Sequence, residues 1–153
     1  MNETAKPRIV GINHIALEVG DVKEALHFYR RIFKFELRGG DFEARGSRPA
    51  FIDMGDQFIA LMPGRKQKAD DHRHFGLVVD DRSRVRELAE AAGATMLDGP
   101  FFDFLDPWGN RIQVVEYRDL QFMKTDAVLK FMGLELDKSE EAQAELRKKG
   151  IEF

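Results

Sequence analysis

The sequence predicts an α+β fold made of two tandem βαβββ modules followed by a short helical tail, and three observations lead there. The segment NHIALEVGDVKEALHFYRRIFKFEL, from Asn13, is echoed sixty positions later by RHFGLVVDDRSRVRELAEAAGATML, from Arg73. Each copy opens with a period-two alternation and continues with apolar residues at i, i+3, i+4 and i+7, the signatures of a half-buried strand and an amphipathic helix. After each helix come short alternating runs separated by turn residues.

In the first copy, GINHIALEV reads as a strand, and Asp21 with Glu24 forms a capping box. A helix over 22–33 follows, with Ala25, Phe28, Tyr29 and Ile32 as its apolar stripe. A short strand begins near Phe35, and Arg38, Gly39 and Gly40 lead out of it. Strands near 49–54 and 57–62 flank a hairpin turn at Gly55 and Asp56. The second copy repeats this with a strand over 74–79, a helix over 82–92 closed by Gly93, and strands near 95–97, 100–105 and 110–117. Pro107, Trp108, Gly109 and Asn110 join the last two.

The chain thus divides into an N-terminal tail (1–8), a first module (9–63), a linker (64–71), a second module (72–117) and a helical extension (118–153). The stretch Pro63–Asp71, polar and rich in basic residues, is expected to be an exposed loop. In the extension, Thr125 and Asp126 start a helix ending at Gly133, and Asp137 with Glu140 caps another ending at Gly150. Val128, Phe131 and Met132, then Ala142 and Leu146, give these helices apolar faces that need a partner surface, on the domain or on a second subunit.

Composition narrows the function classes. Hydrophobic residues at 43% supply a core, which excludes wholesale disorder. A net charge of −3 argues against a general polyanion binder, so nucleic acid is not an expected partner. With no cysteine, the chain has neither a thiol nucleophile nor a thiolate ligand, and any metal must sit on His, carboxylate or amide groups. MNETAKPR lacks an apolar signal core and no apolar run is long enough to span a bilayer, which predicts a cytoplasmic protein without membrane contact.

Strand parity sorts side chains onto two faces. Ile15, Leu17 and Val19 lie opposite His14, Ala16 and Glu18; Phe75, Leu77 and Val79 lie opposite His74, Gly76 and Val78. The oily face covers the helix, so the histidine face lines something else. In the final strand Arg111, Gln113, Val115 and Tyr117 share one face. Aligning FIDMGDQFIAL with FLDPWGNRIQV places Ala60 over Gln113, so His14, Ala60, His74 and Gln113 form a pseudo-symmetric ring. Phe58, Phe101, Val115 and Tyr117 suggest an apolar, aromatic wall, and Asp103, on the strand face of Phe101 and Leu105, either projects into the cup toward a substrate or lies exposed on the surface. Glu116 faces the helix layer and needs a bulge to join the ring. His27 lies on the polar helix face, and His72 in the linker is a spare ligand.

The stretches NHIALEVGDVKEALHFYRRIF, HFGLVVDD and DPWGNRIQVVEY together resemble the vicinal oxygen chelate superfamily, which includes glyoxalase I, extradiol dioxygenases and the bleomycin and fosfomycin resistance proteins. The resemblance spans roughly residues 9–117. It implies a cupped mixed sheet with helices on its convex side and a divalent metal on the concave face. It also implies that His14 and His74 are ligands and that Gln113 stands where a Glu usually completes the set. Ala60, at the fourth position, cannot bind metal.

Two imidazoles and an amide oxygen could hold Zn²⁺, Ni²⁺, Mn²⁺, Fe²⁺ or Co²⁺ with positions left for a bidentate ligand. Without a carboxylate, affinity falls and Lewis acidity rises. One reading is a metal-dependent lyase, isomerase or dioxygenase acting on a small oxygen-chelating substrate. The other is a metal-free protein that sequesters an aromatic or amphiphilic ligand, as bleomycin resistance proteins do. Such modules often pair across chains, so a homodimer is expected.

Overall fold

A computed structural model describes residues 6–7, 9–39 and 48–152; Gly40 and most of the segment 1–8 lie outside the described residues. The chain runs β1 (His14–Glu18), α1 (Val22–Arg30), β2 (Ala50–Asp53), β3 (Phe58–Met62), β4 (Phe75–Val79), α2 (Arg82–Ala91), β5 (Thr95–Leu97), β6 (Asp103–Leu105), β7 (Arg111–Glu116), α3 (Asp126–Phe131) and α4 (Glu140–Lys148). A 3-10 turn at Tyr117–Asp119 follows β7. The strands make two mixed sheets, β1-β3-β2 and β4-β7-β6-β5. In each, the first strand pairs in parallel with the last, so both are right for a βαβ crossover.

Each helix starts where its cap residue dictates. The Asp21 carboxylate accepts the Glu24 N–H at 2.8 Å, and Asp81 accepts that of Arg84 at 2.9 Å. α1 ends at Arg30 rather than Phe33 because its last turn tightens, with Ile32 N–H donating to the Tyr29 carbonyl. The strand expected near Phe35 is reduced to one bridge, Leu37 to Ile52, with Arg38 N–H donating to the Phe51 carbonyl at 2.9 Å. The first sheet therefore has three strands where the second has four.

Both modules share one core. Leu26, Phe28 and Tyr29 of α1 join Val85 and Ala89 of α2 and the inward residues Leu61, Phe104, Ile112 and Val114. The opposite sheet faces, with His14, Ala16, Glu18, His74 and Gly76, are exposed. This division follows the strand parity read from sequence.

A buried polar cluster ties the modules together. The Tyr29 hydroxyl donates to Asp106 Oδ2 at 2.6 Å, and Asn110 Nδ2 donates to the same oxygen at 2.8 Å and to the Glu18 carbonyl at 3.0 Å. Asp106 Oδ1 accepts the Trp108 and Asn110 backbone N–H groups. Burial, the Asp106 charge and the hydrogen bond to it push the Tyr29 phenol well above its ordinary pKa. Trp108 presses on Gly20 so closely that a Cβ there would stand 2.5 Å from the indole nitrogen. Nearby, Arg31 donates to the Ala91 carbonyl at 2.7 Å, a cation at the C-terminus of α2.

The linker is largely exposed, as expected of it, but two of its side chains, Arg65 and Asp70, fold inward. The Arg65 side chain is only 3% exposed, donating to Asn110 Oδ1 at 2.5 Å, to the Lys68 carbonyl and to Asp70. Asp70 N–H returns to the Gly109 carbonyl at 2.8 Å. Gly109 has φ of 84° and sits against the Ala69 backbone, so two constraints require a glycine there. The basic residues that suggested a solvated stretch include one whose guanidinium completes the Asp106 cluster.

The extension packs on its own chain. Leu146 is fully buried, and Leu129 and Ala142 nearly so. Lys124 bonds Asp56 at the first module's hairpin, and Val128 lies against Gly55. Lys138 donates to the Tyr117 and Phe122 carbonyls and sits over the Tyr117 ring. The cap of α4 is Ser139, which accepts the Ala142 N–H at 3.2 Å, and not Asp137. Among the described residues, no helix is long and apolar enough to cross a membrane.

Replacing Asp106 by Ala takes the acceptor from the Tyr29 hydroxyl and from the Trp108 and Asn110 backbone N–H groups and should cost about 3 kcal/mol or more, with Tyr29→Phe costing about 1–2 kcal/mol, by urea unfolding at pH 7. Burial raises the Asp70 pKa, but hydrogen bonds from Arg73, Arg65 and the Arg111 N–H outweigh it and hold the carboxyl below its ordinary value. A folded-state pKa below the unfolded value of about 3.9 means that its stabilisation is complete above that pH and drains away as pH falls through the folded value. The stability difference between wild type and Asp70→Asn should therefore be flat from about pH 5 to 7 and shrink below about pH 4.

Candidate metal and ligand site

The strand register fixes which side chains share the exposed faces. In the first sheet, His14 stands opposite Phe58, Ala16 opposite Ala60, and Phe51 opposite Ala60 from the other side. In the second, Gly76 stands opposite Gln113, and Asp103 opposite Gln113 from the other side. Directly paired residues project to the same face, so Gly76, Gln113 and Asp103 form one row and Ala16, Ala60 and Phe51 its counterpart. Ala60 and Gln113 are equivalent, as aligned from sequence. The second hairpin turn holds one residue more than the first, which brings Asp103 to the place of Phe51.

His74 continues the alternation one residue ahead of β4. Its Nδ1 lies 2.7 Å from the His72 carbonyl. A carbonyl only accepts, so Nδ1 carries the proton and Nε2 keeps its lone pair free. His14 Nδ1 lies 3.0 Å from Asn13 Oδ1, and its ring stacks on Phe58 at 4.6 Å and 8°. The Arg38 guanidinium sits 4.5 Å from the same Phe58 ring, held by Asp53 at 2.6 Å.

Between the edges of β1 and β4 lies a cavity of about 190 Å³ whose walls include Glu18, Arg65, Asp70, Arg73, His74 and Asn110. Its β1 wall runs from Ile15 to Glu18 and stops short of His14. Among the described residues, no hydrogen bond or ring contact joins His14, His74 and Gln113, and no three His, Asp or Glu side chains gather as an ion's ligands. Within one chain, Gln113 lies on the second sheet with His74 just ahead of its first strand, and His14 lies on the first sheet.

The expected wall residues scatter. Phe58 is half-buried beneath His14, and Val115 is half-buried opposite Val78. Phe101 precedes β6, which begins at Asp103 and not at Pro100, and is 66% exposed. Tyr117 does not line the face: β7 ends at Glu116, the chain turns, and the ring is buried against Phe122 and Lys138. Asp103 is 4% exposed, with Oδ2 accepting Arg111 Nε at 2.6 Å and Oδ1 unpartnered. Glu116 pairs with Val79, on the parity of Leu77, as read from sequence.

Sequence reasoning passed over Arg111, Asn13, Arg65 and Asp70. The Arg111–Asp103 pair had a readable signal, since two strands flanking one hairpin set these opposite charges on the same face. The cavity contacts of Arg65 had none, because they depend on how the linker folds back onto the 106–110 turn.

At pH 8, ¹⁵N spectra should show His74 as the Nδ1–H tautomer with a non-protonated Nε2; a dominant Nε2–H tautomer would contradict this geometry.

Comparison with known proteins follows the same architecture. The sequence profile of the Glyoxalase/Bleomycin resistance protein/Dioxygenase superfamily matches residues 11–114. The fold is similar to that of the fosfomycin resistance protein FosX from Mesorhizobium loti, at 22% identity over 70% of this chain and 92% of that one, with a TM-score of 0.57. FosX from Listeria monocytogenes, solved with Mn(II) and sulfate, is similar at 23% identity over 70% of this chain and 92% of that one, with a TM-score of 0.57. A glyoxalase family protein from Bacillus anthracis reaches 21% identity over 72% and 98% of the two chains, with a TM-score of 0.56. These structures share a fold with the chain, and the profile spans well over half its length: it belongs to the glyoxalase/bleomycin resistance protein/dioxygenase superfamily, the vicinal oxygen chelate proteins.

Proposed function

We propose that this chain is a divalent-metal-dependent enzyme acting on a small molecule with two adjacent oxygens. The observation that carries the reading is the His74 ring. Its Nδ1–H is committed to a backbone carbonyl and its Nε2 is left as a donor, on the sheet face that also presents the Gln113 amide. A backbone carbonyl that accepts from the far ring nitrogen is the usual support of a metal-binding imidazole. His14, its repeat counterpart, supplies the third donor. The donor set of two imidazoles and one amide oxygen suits a borderline first-row ion. A glutamate-to-glutamine mutant of FosX from Listeria monocytogenes was solved with Mn(II) and 1S,2S-dihydroxypropylphosphonic acid, and Mn²⁺ is the first ion to test.

When bound, the ion would supply Lewis-acid polarisation of substrate oxygens. The chain's own residues bind and orient. Phe58 and Val115 offer apolar contact, and Gly76, without a side chain, leaves room beside Gln113. With three neutral donors the ion keeps its full charge, so an anionic chelating substrate supplies part of the binding free energy.

The site is read as shared between two copies of the chain. In a single chain His14 belongs to the first sheet and His74 adjoins the second, and among the described residues β1 and β4 are edge strands with no strand paired on their outer sides. A homodimer that sets the first module of one copy against the second module of the other would complete the ring.

The test is metal binding by purified protein without chelator. Wild type should bind Mn²⁺ and lose it on acidification, because a protonated imidazole cannot ligate. His14→Ala and His74→Ala should each abolish binding. Co-expressing the two variants should restore about a quarter of the wild-type sites, because half of the dimers are mixed and each carries one intact site. No restoration would place the site within one chain. Wild type that retains no metal but binds an aromatic ligand regardless of chelator would replace this reading with the sequestering one.

A further inference from the structure

We infer that Asp103 is a positioning residue whose free carboxylate oxygen accepts a hydrogen bond from the Gln113 side-chain amide and so turns the Gln113 oxygen toward the site. The inference rests on the metal-site reading above but uses different atoms. A glutamine can ligate only through Oε1, yet its amide offers an oxygen on one side and two N–H donors on the other. Without a fixed acceptor for the N–H groups, either end can face an ion. Asp103 is the direct cross-strand neighbour of Gln113 on the same sheet face. Side chains so paired start from Cβ atoms about 4.5–5.5 Å apart, within reach of a glutamine's three rotatable bonds.

Both groups have unused capacity. Asp103 is 4% exposed; its Oδ2 is taken by Arg111 through Nε and Nη2, each at 2.6 Å, while its buried Oδ1 has no partner among the described residues. The Gln113 amide, half-buried, makes no hydrogen bond among the described residues. A buried acceptor without a donor is costly, and a free donor stands beside it. Arg111 also donates to the Asp71 carbonyl, so the guanidinium that holds Oδ2 is itself anchored. In the first module the equivalent positions are Phe51 and Ala60. Where the amide is missing, its acceptor is missing too.

The experiment is a double-mutant cycle on the full chain with Mn²⁺ as the probe. In Asp103→Asn, Arg111 retains the oxygen of the new amide, and an N–H then faces Gln113 and draws Oε1 inward. Mn²⁺ affinity should fall about tenfold to a hundredfold, the usual effect of losing an outer-shell partner. In a Gln113→Glu background the ligand has no N–H to satisfy and Asp103 only repels it, so Asp103→Asn should cause no loss. The same loss in both backgrounds would mark a merely structural role and overturn the inference, as would no loss in either.

A second readout needs no metal. The Gln113 side-chain amide should give one downfield, slowly exchanging proton in ¹⁵N spectra that Asp103→Asn removes; an amide unmoved by the substitution overturns the inference. If wild type binds no Mn²⁺ but this proton is present and depends on Asp103, the metal-site reading falls and the positioning of Gln113 stands.

Discussion

The Asp106 carboxylate, sealed where helix α1, strand β1 and the 106–110 turn meet, sets how the two modules sit on one another. Four donors converge on its two oxygens: the Tyr29 hydroxyl, the Asn110 amide and the Trp108 and Asn110 backbone N–H groups. A charge this deeply buried is tolerated only when so surrounded, and the surroundings come from both modules. Asn110 passes the constraint on, holding the Glu18 carbonyl with one end and accepting from Arg65 with the other. The end of β1 and the linker are thereby located together, and the cavity between β1 and β4 takes its walls from them.

On that scaffold the duplication is preserved in backbone and broken in chemistry. The repeat places His14 and His74 alike, each with Nδ1 beside an oxygen. The rows beside them differ: Phe51 and Ala60 in one sheet, Asp103 and Gln113 in the other. One half presents an aromatic surface against which His14 stacks, and the other presents hydrogen-bonding groups. A ligand bridging the two would meet an apolar wall on one side and directional polar groups on the other, the usual combination in small-molecule sites.

How far the sequence could be read depended on the range of the interaction. Element type and face were legible because parity and capping act within a few residues: Asp21 and Asp81 cap their helices, and Ile112 and Val114 face the core while Gln113 does not. Ends were less legible. The strand at Phe35 shrank to a bridge, and β7 stopped at Glu116, which removed Tyr117 from the face that its alternation suggested. The linker is exposed as read, but the burial of Arg65 was not legible, because a guanidinium in a polar run looks the same whether solvated or buried; only the arrival of Asn110 and Asp70 separates the cases.

Taken alone, the amino-acid order determined the duplicated module, the starts of α1, α2 and α3, the core faces and the equivalence of Ala60 with Gln113, since each follows from short-range periodicity and from comparing the chain with itself. The tertiary structure decided the rest: that Asp106 joins the modules, that the tail covers Tyr117, that Arg65 folds into the Asp106 cluster, and that Asp103 keeps one oxygen unpartnered beside Gln113 among the described residues. Those outcomes depend on contacts between residues tens of positions apart, where steric fit and desolvation choose among partners that local pattern leaves equal.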